Sequence, residues 1–250
     1  MIYLSATFIK DFLACSYRAK LRRDVPESAI INDEAIFGGI VHEAIEKFTE
    51  YDPALEFCLS EWDRIKNTNN FMKEDKKPPK SFRKMLQGYF EKIYPNLNPD
   101  GFKKVRLEHK FEVSWGKGVT LIGKMDRVET GDFTEIYDWK TSMKPPDIYD
   151  LSDLQFYIYY IAHKMIHGDE PTVYYGHVYS GMLHRIDINP DLVYNTERLV
   201  DHVAARLASG EAYRVTGYQC RSCFYRMPCY NEIRINELDN RTIPERTTLY

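Results

Sequence analysis

The sequence predicts a mixed α/β fold: a helical first part, a strand meander, a helix, a second strand pair and a last helix. Three observations carry this prediction. Apolar residues recur at helical spacing up to about residue 94 and again in two long segments after residue 150. Between residues 104 and 140, three runs rich in β-branched and aromatic residues are separated by turn signals. At 250 residues and 44% hydrophobic, the chain can bury a full core, so one large domain over 1–250 is expected. Its parts are a helical N-terminal region (1–100), a core (101–210) and a cysteine-bearing C-terminal segment (211–250).

Residues 5–23 read as one helix, with Ser5 able to cap it and Phe8, Phe12 and Leu13 on one side. A second helix spans roughly 36–50. A third, from about 53 to 66, carries Leu55, Leu59, Trp62 and Ile65. The polar stretch from Asn67 to Pro79 reads as a mobile loop or flap, and residues 81–94 return to helix. Strands follow near 104–114, 119–128 and 133–140. A turn at Met143–Pro146 precedes an apolar helix from Ser152 to His167. Strands near 172–179 and 182–188 form a hairpin around Ser180 and Gly181, a helix covers 191–209, and the tail from 231 is expected to be irregular.

The chemistry gathers in two short segments, Gly123-Lys124-Met125-Asp126-Arg127-Val128 and Ile136-Tyr137-Asp138-Trp139-Lys140, joined by a turn signal. Side chains alternate along a strand, so Asp138 and Lys140 share a face that Asp126 can reach from the neighbouring strand, while Trp139 faces a packed layer. Two acids and a lysine converging there would be costly in an ordinary core. A divalent cation between the acids, with the lysine handling the nucleophile, accounts for them; that is the chemistry of metal-dependent phosphodiester cleavage. A D-x-K triplet by itself is common on solvated hairpin edges; the apolar flanks of this one set it apart.

His42 lies on an amphipathic helix with Ile40, Ala44, Ile45 and Phe48, and Glu46 is one turn further along the same face. Gly38 and Gly39 permit close backbone approach at the start of that segment. A neutral imidazole suits the metal that the acids need. Five cysteines are present, and Cys220, Cys223 and Cys229 form C-x2-C-x5-C. Without a secretion signal, such close thiolates point to metal before disulfides, with Cys15 as the candidate fourth ligand joining the two chain ends. Spacing leaves Zn2+ and an iron–sulfur cluster both open. Cys58, in an apolar run, reads as a buried structural thiol.

The bulk composition narrows the classes. The net charge of −3 speaks against a generally basic nucleic-acid coat and leaves local patches: Arg18, Lys20, Arg22 and Arg23, and the run from Lys73 to Lys84. No apolar run is long enough to span a bilayer and no signal peptide is seen, so a cytoplasmic protein is expected. No G-x-x-x-x-G-K-[ST] phosphate loop is present, so an ATP-driven motor would have to come from a partner.

Taken together, these motifs resemble the PD-(D/E)XK nuclease superfamily and, within it, the RecB-like exonucleases, most of all the CRISPR-associated and phage-encoded iron–sulfur type. The resemblance rests on Gly38, His42 and Glu46 for the helical motif, Gly123 and Asp126 for G-x-x-D, Asp138-Trp139-Lys140 for D/E-x-K, Gln155 and Tyr159 for Q-x-x-x-Y, and Cys15 with Cys220, Cys223 and Cys229 for the cysteine pattern. It implies a restriction-endonuclease-like core with a mixed sheet, and a [4Fe-4S] cluster in the C-terminal segment rather than zinc. It implies Asp126 and Asp138 as carboxylate ligands of Mg2+ or Mn2+, with His42 and the Trp139 carbonyl as further ligands. Lys140 would orient the attacking water and stabilise phosphorane charge, Gln155 would hold the lysine or the DNA backbone, and Tyr159 a phosphate or base. Glu108 resembles an acidic position on the family's first core strand. A proline before the first acid is absent, Met125 standing there, as is ordinary in the RecB-like branch.

The implied activity is a metal-dependent exonuclease acting on single-stranded DNA or DNA ends, in recombination, repair or CRISPR spacer acquisition, with protein partners of such a complex. The 19 tyrosines are compatible with a channel in which bases stack. The alternative is a DNA-end-binding or adaptor subunit that keeps the fold for assembly; the intact set of His42, Asp126, Asp138 and Lys140 speaks against it.

Overall fold

A six-stranded mixed sheet organises the protein. The structure, a computed structural model, describes residues 1–24, 33–68, 81–116, 118–221, 223 and 225–231. The expected flap falls outside them apart from residues 67 and 68, as do the basic run up to residue 80 and the tail beyond 231. The strands are β1 (Ile2–Leu4), β2 (Lys104–Gly116), β3 (Val119–Thr130), β4 (Thr134–Lys140), β5 (Thr172–His177) and β6 (Met182–Arg185). The helices are α1 (Ala6–Ala14), α2 (Ser16–Asp24), α3 (Asp33–Lys47), α4 (Tyr51–Thr68), α5 (Ser81–Gln87), α6 (Ile148–Leu151), α7 (Leu154–His167) and α8 (Pro190–Ala208).

The pairing of β3 prepares the site. One edge of β3 is taken along its length by antiparallel β2. The other edge is shared: β1 runs parallel to residues 119–121, and β4 pairs antiparallel with 127–130. Residues 122–126 therefore have no strand partner on that side, and a cleft opens where β3 and β4 separate. Beyond it, β4 pairs parallel with β5, and β5 antiparallel with β6.

Each face of the sheet carries its own core. On one face, Ile136, Val128, Val173 and Tyr175 pack with Ile9 and Phe12 of α1, Phe156 and Ile158 to Ala162 of α7, and Val200 and Val203 of α8. On the other, Tyr137 and Trp139 pack with Val41 and Ala44 of α3, Trp62 of α4, and Phe82, Met85 and Leu86 of α5. Burial of apolar surface on both faces is the main stabilising term for such a layered fold.

The expected elements are present with four differences. The single helix expected over 5–23 is two: Ser5 caps α1, its Oγ accepting from the Phe8 N–H at 3.2 Å, but Cys15 is extended (φ −167°, ψ 103°) and breaks the run. Apolar periodicity continues through the break, so it is invisible in the pattern. The last turn of the 81–94 helix is π-helical at 88–93. The helix expected from Ser152 is preceded by the separate α6, and Asp153 caps α7 through the Gln155 N–H at 2.8 Å. The three-residue β1 has no signature of its own; long-range pairing makes it a strand.

Candidate active site

Asp126 lies in the stretch of β3 that lacks a strand partner. Its Oδ2 accepts the Trp139 N–H at 2.7 Å, so a side chain takes over the ladder where the backbones part. Asp138 and Lys140 alternate to the α7 face, while Tyr137 and Trp139 face the opposite core, with rings stacked at 5.6 Å. The first turns of α7 then bring Gln155 and Tyr159 onto Asp138. Gln155 Nε2 donates to Asp138 Oδ1 at 2.9 Å and to Tyr159 Oη at 2.6 Å, and its Oε1 accepts from Lys140 Nζ at 3.0 Å. Tyr159 in turn donates to the Lys124 carbonyl at 2.7 Å.

The motif glycines serve packing. A Cβ at Gly123 would lie 2.4 Å from the Phe111 ring, which is edge-on to Tyr159, so Gly123 lets that ring close over β3. Gly38 lies inside α3 rather than at its start, and a Cβ there would be 3.0 Å from Thr141 Oγ1, close to the tightest contact allowed. At Gly39, which lines the cleft, a Cβ would meet nothing within 4 Å, so close approach does not explain it.

His42 comes from α3, its Nδ1 3.4 Å from Asp126 Oδ1. Glu108 comes from β2. It stands across from Asp126 at the gap in an otherwise continuous ladder from 104 to 114, and its φ of +47° is rare for a residue with a side chain. Ligand atoms of His42, Glu108 and Asp126 lie within 4.8 Å of one another, while Asp138 lies outside this trio and faces Lys140 and Gln155. All of these residues, with Trp139, Glu43, Glu46 and Lys124, line one cleft of about 500 Å³. The larger groove in the molecule, about 1030 Å³ between α7 and α8, contains none of them.

The electrostatics describe a site short of positive charge. Burial pushes Asp138, 2% exposed, above the usual carboxylate range despite the nearby Lys140 charge. Asp138 Oδ2 is 2.6 Å from Lys140 Nζ, but no hydrogen bond of good angle reaches that buried oxygen. Burial works to lower Lys140, and the charge and close contact of Asp138 together with the charges of Asp126 and Asp153 outweigh it and hold the ammonium above its ordinary value. Burial also works to lower His42; its contact with Asp126 and the Asp138 charge raise it instead. Tyr159 is driven well above its ordinary value, first by burial and then by the two aspartates, so it remains a neutral donor. An imidazole among carboxylates, with an orphaned buried carboxylate oxygen beside them, fits a hard divalent cation such as Mg2+ or Mn2+.

The four cysteines expected to act together border a common cavity. Cys15, Cys220, Cys223 and Cys229 are all half-buried free thiols and line one small cavity of about 60 Å³. Tyr17, Leu21 and Tyr225 form the apolar cluster beside it. Cys58 is elsewhere, fully buried among α3, α4 and α5 as a structural thiol.

Glu108 and Lys124 are the site residues that sequence reasoning underweighted. Glu108 was given no firm role, and Lys124 was read only as part of a motif segment. The signal available was the register: in an antiparallel pair, an acid opposite Asp126 on the preceding strand shares its face.

Comparison with known proteins bears on the whole arrangement. The sequence profile of the PD-(D/E)XK nuclease superfamily matches residues 3–230. Among solved structures, a candidate exonuclease from Eubacterium rectale is 15% identical, aligned over 98% of this chain and 91% of its own, with a TM-score of 0.57. At that identity the likeness shows a shared fold. A protein named SSO0001 aligns over 92% of this chain and 86% of its own at 15% identity, with a TM-score of 0.47. No curated protein matches the sequence.

Proposed function

The chain belongs to the PD-(D/E)XK nuclease superfamily, and from that premise we propose that it is a RecB-like, iron–sulfur exonuclease acting on single-stranded DNA or DNA ends. Membership makes it a hydrolytic nuclease with a nucleic-acid substrate and a divalent metal requirement. The observation that supports metal-dependent cleavage in this cleft is the convergence of His42, Glu108 and Asp126 beside the Asp138–Lys140 pair. His42, Asp126 and Asp138 remain the proposed metal ligands, with the Trp139 carbonyl beside them and Glu108 added.

A cation held there supplies an activated water and neutralises charge on the phosphate. The chain's own residues do the rest. Lys140, fixed between Asp138 and Gln155, holds a positive charge against the phosphate oxygens and orients the attacking water. Gln155 positions both Asp138 and Lys140. Tyr159, kept neutral, anchors the backbone of Lys124 and backs Asp138. The Trp139 N–H keeps Asp126 turned into the cleft.

The second part of the proposal is a [4Fe-4S] cluster on Cys15, Cys220, Cys223 and Cys229, clipping the chain ends together. Its support is the one cavity that all four thiols line. The whole of 1–250 would then act as one domain, in the cytoplasm, with protein partners in recombination, repair or CRISPR spacer acquisition. Among the described residues no helix is long and apolar enough to cross a membrane.

The test is cleavage, with Mn2+, of end-labelled linear single strands of both polarities beside circular single strands. Linear strands should shorten progressively from one end while circles persist. Nicking of the circles at the same rate would replace exonuclease with endonuclease.

A further inference from the structure

Every carboxylate at the centre of the cleft has a partner that can carry positive charge. Asp138 faces Lys140, Asp126 faces His42, and Glu108 forms an ion pair with Lys124. Two of these partners are fixed in place. Lys140 is also bound to Gln155 Oε1, and His42 is carried on α3. Lys124 differs: its side chain is 50% exposed at the cleft wall, and Glu108 is the partner its ammonium has among the described residues.

The backbone of Lys124 cannot follow a moving side chain. Its carbonyl accepts from Tyr159, and it is paired with Lys110 in the ladder between β2 and β3. Only the four-carbon stem and its compact ammonium are free to swing. Yet Glu108 is also one of the three side chains whose ligand atoms converge. A dication on Glu108 neutralises the carboxylate and repels the ammonium, so the two compete for the same oxygens.

We propose that Lys124 is a placeholder cation: it occupies Glu108 in the metal-free cleft and turns onto a substrate phosphate when a divalent cation takes Glu108. The device couples metal loading to nucleic-acid binding. Without metal the cleft is acidic and its mobile lysine is occupied, so a phosphate backbone is repelled. With metal, the excess negative charge falls and a lysine is released towards the strand. Such coupling is reciprocal, so the strand also tightens metal binding. The inference rests on the metal site proposed above and gives Lys124 a role within it.

Two measurements on the full chain test it: calorimetric titration with Mn2+, and anisotropy of a fluorescent, hydrolysis-resistant phosphorothioate strand across a KCl series with and without Mn2+. Lys124→Met should bind Mn2+ roughly two- to fivefold more tightly, the scale of losing a half-exposed competing ion pair. It should bind the strand roughly tenfold more weakly in Mn2+, with the salt slope reduced by about one, and little more weakly without metal. Lys124→Arg should restore strand binding. Unchanged or weaker Mn2+ binding by Lys124→Met, or an equal loss of strand affinity with and without metal, overturns the placeholder role. If the parent protein binds no Mn2+, the metal site itself is refuted and the inference with it. Should Lys124→Met fail to fold, Glu108→Gln tests the same competition from the other side. Freed from its carboxylate, Lys124 should then raise strand affinity in the absence of metal, and no rise overturns the role.

Discussion

The cleft and the cysteine junction both bring distant residues together, but they are held by opposite means. The cleft residues stand on long strands and on the capped start of α7, and strong hydrogen bonds fix Asp126, Asp138, Gln155 and Tyr159 against one another. The thiols stand at a helix break (Cys15), on the short 3-10 turn Tyr218–Arg221 (Cys220), outside any helix or strand (Cys223) and on a helical turn at 226–231 (Cys229), beyond a stretch, 211–217, with no helix or strand. Their hydrogen bonds are weak sulfur contacts: Val215 N–H to Cys15 Sγ at 3.5 Å and the Cys220 thiol to the Val215 carbonyl at 3.7 Å. A small cluster of Tyr17, Leu21 and Tyr225 supports them. The cleft is thus preorganised by the fold and uses its metal for chemistry. At the junction, beyond the sulfur contacts and the apolar cluster, three hydrogen bonds from Ser16 and Tyr17 to Tyr213 join the chain ends, so the proposed cluster would there serve the fold.

The largest effect should come from breaking the junction. Cys15→Ser and Cys223→Ser are expected to lose iron, brown colour and solubility, whereas Cys58→Ser keeps all three. Ligation from Cys15 to Cys220 by the proposed cluster would close a loop of about two hundred residues, an entropy worth on the order of 5 kcal/mol. That is comparable to the whole stability of many domains. Cys58 is isolated in the core, with its thiol pushed up to about 12 by burial, and has no such role. Iron analysis and the visible spectrum of anaerobically purified protein decide the matter. Zinc in place of iron would refute the cluster type, and normal iron in Cys15→Ser would refute the fourth ligand.

The converse should hold in the cleft. Asp126→Ala and Asp138→Ala are expected to reduce cleavage by about three orders of magnitude or more, the scale of losing a preorganised electrostatic group. Both should still fold, with melting temperatures somewhat lowered, because Asp126→Ala leaves the Trp139 N–H without a partner and Asp138→Ala leaves Lys140 without its carboxylate. A variant that cleaves near the parent rate at saturating Mn2+ would remove that residue from the site. Lys140→Ala should lose roughly 10²–10⁴-fold in turnover while keeping its Mn2+ affinity, and a matching fall in calorimetric affinity would contradict that separation. Gln155→Ala acts one step back, through Asp138 and Lys140, and should cost about 10- to 100-fold. Its signature is a fall in kcat with KM for the strand largely unchanged; a change in KM alone would make Gln155 a strand contact instead.

The same contrast explains what could be read from the chain. His42, Asp126, Asp138 and Lys140 follow from two local periodicities, the strand alternation and the helical turn, while Gln155 and Tyr159 come from the family resemblance alone; the structure brings all six to one cleft. The thiols were legible from spacing, and they line one cavity. Glu108 was harder because its reach into the cleft depends on a positive φ in the middle of β2, which no apolar pattern marks. Lys124 has no sequence signature of its own beyond its place in the motif segment, since its meaning lies in a partner on another strand. The break at Cys15 was hidden because Phe12, Tyr17 and Leu21 are all buried and continue a helical rhythm across it. In each case the missing information was tertiary: register, a rare dihedral, or the position of the other chain end.

The smallest expected effect separates what the fold contributes to the junction from what the ligands contribute. Ser16 is buried beside Cys15, and its Oγ accepts the Tyr213 N–H at 2.6 Å and donates to the Tyr213 carbonyl at 3.2 Å. The Tyr17 N–H reaches the same carbonyl at 3.1 Å. These bonds join the chain ends without any thiol. Ser16→Ala removes the part-buried bond to the Tyr213 amide, which should cost about 0.5–1.5 kcal/mol. If the ends dock partly on their own, that loss appears in denaturant titrations of the iron-loaded protein at full iron content. It should recur at similar size in any soluble iron-free fraction, because the bond and the ligands act on the same pair of segments independently. If the ligands alone hold the ends, the loaded variant should match the parent in stability, and the junction would have no preformed part.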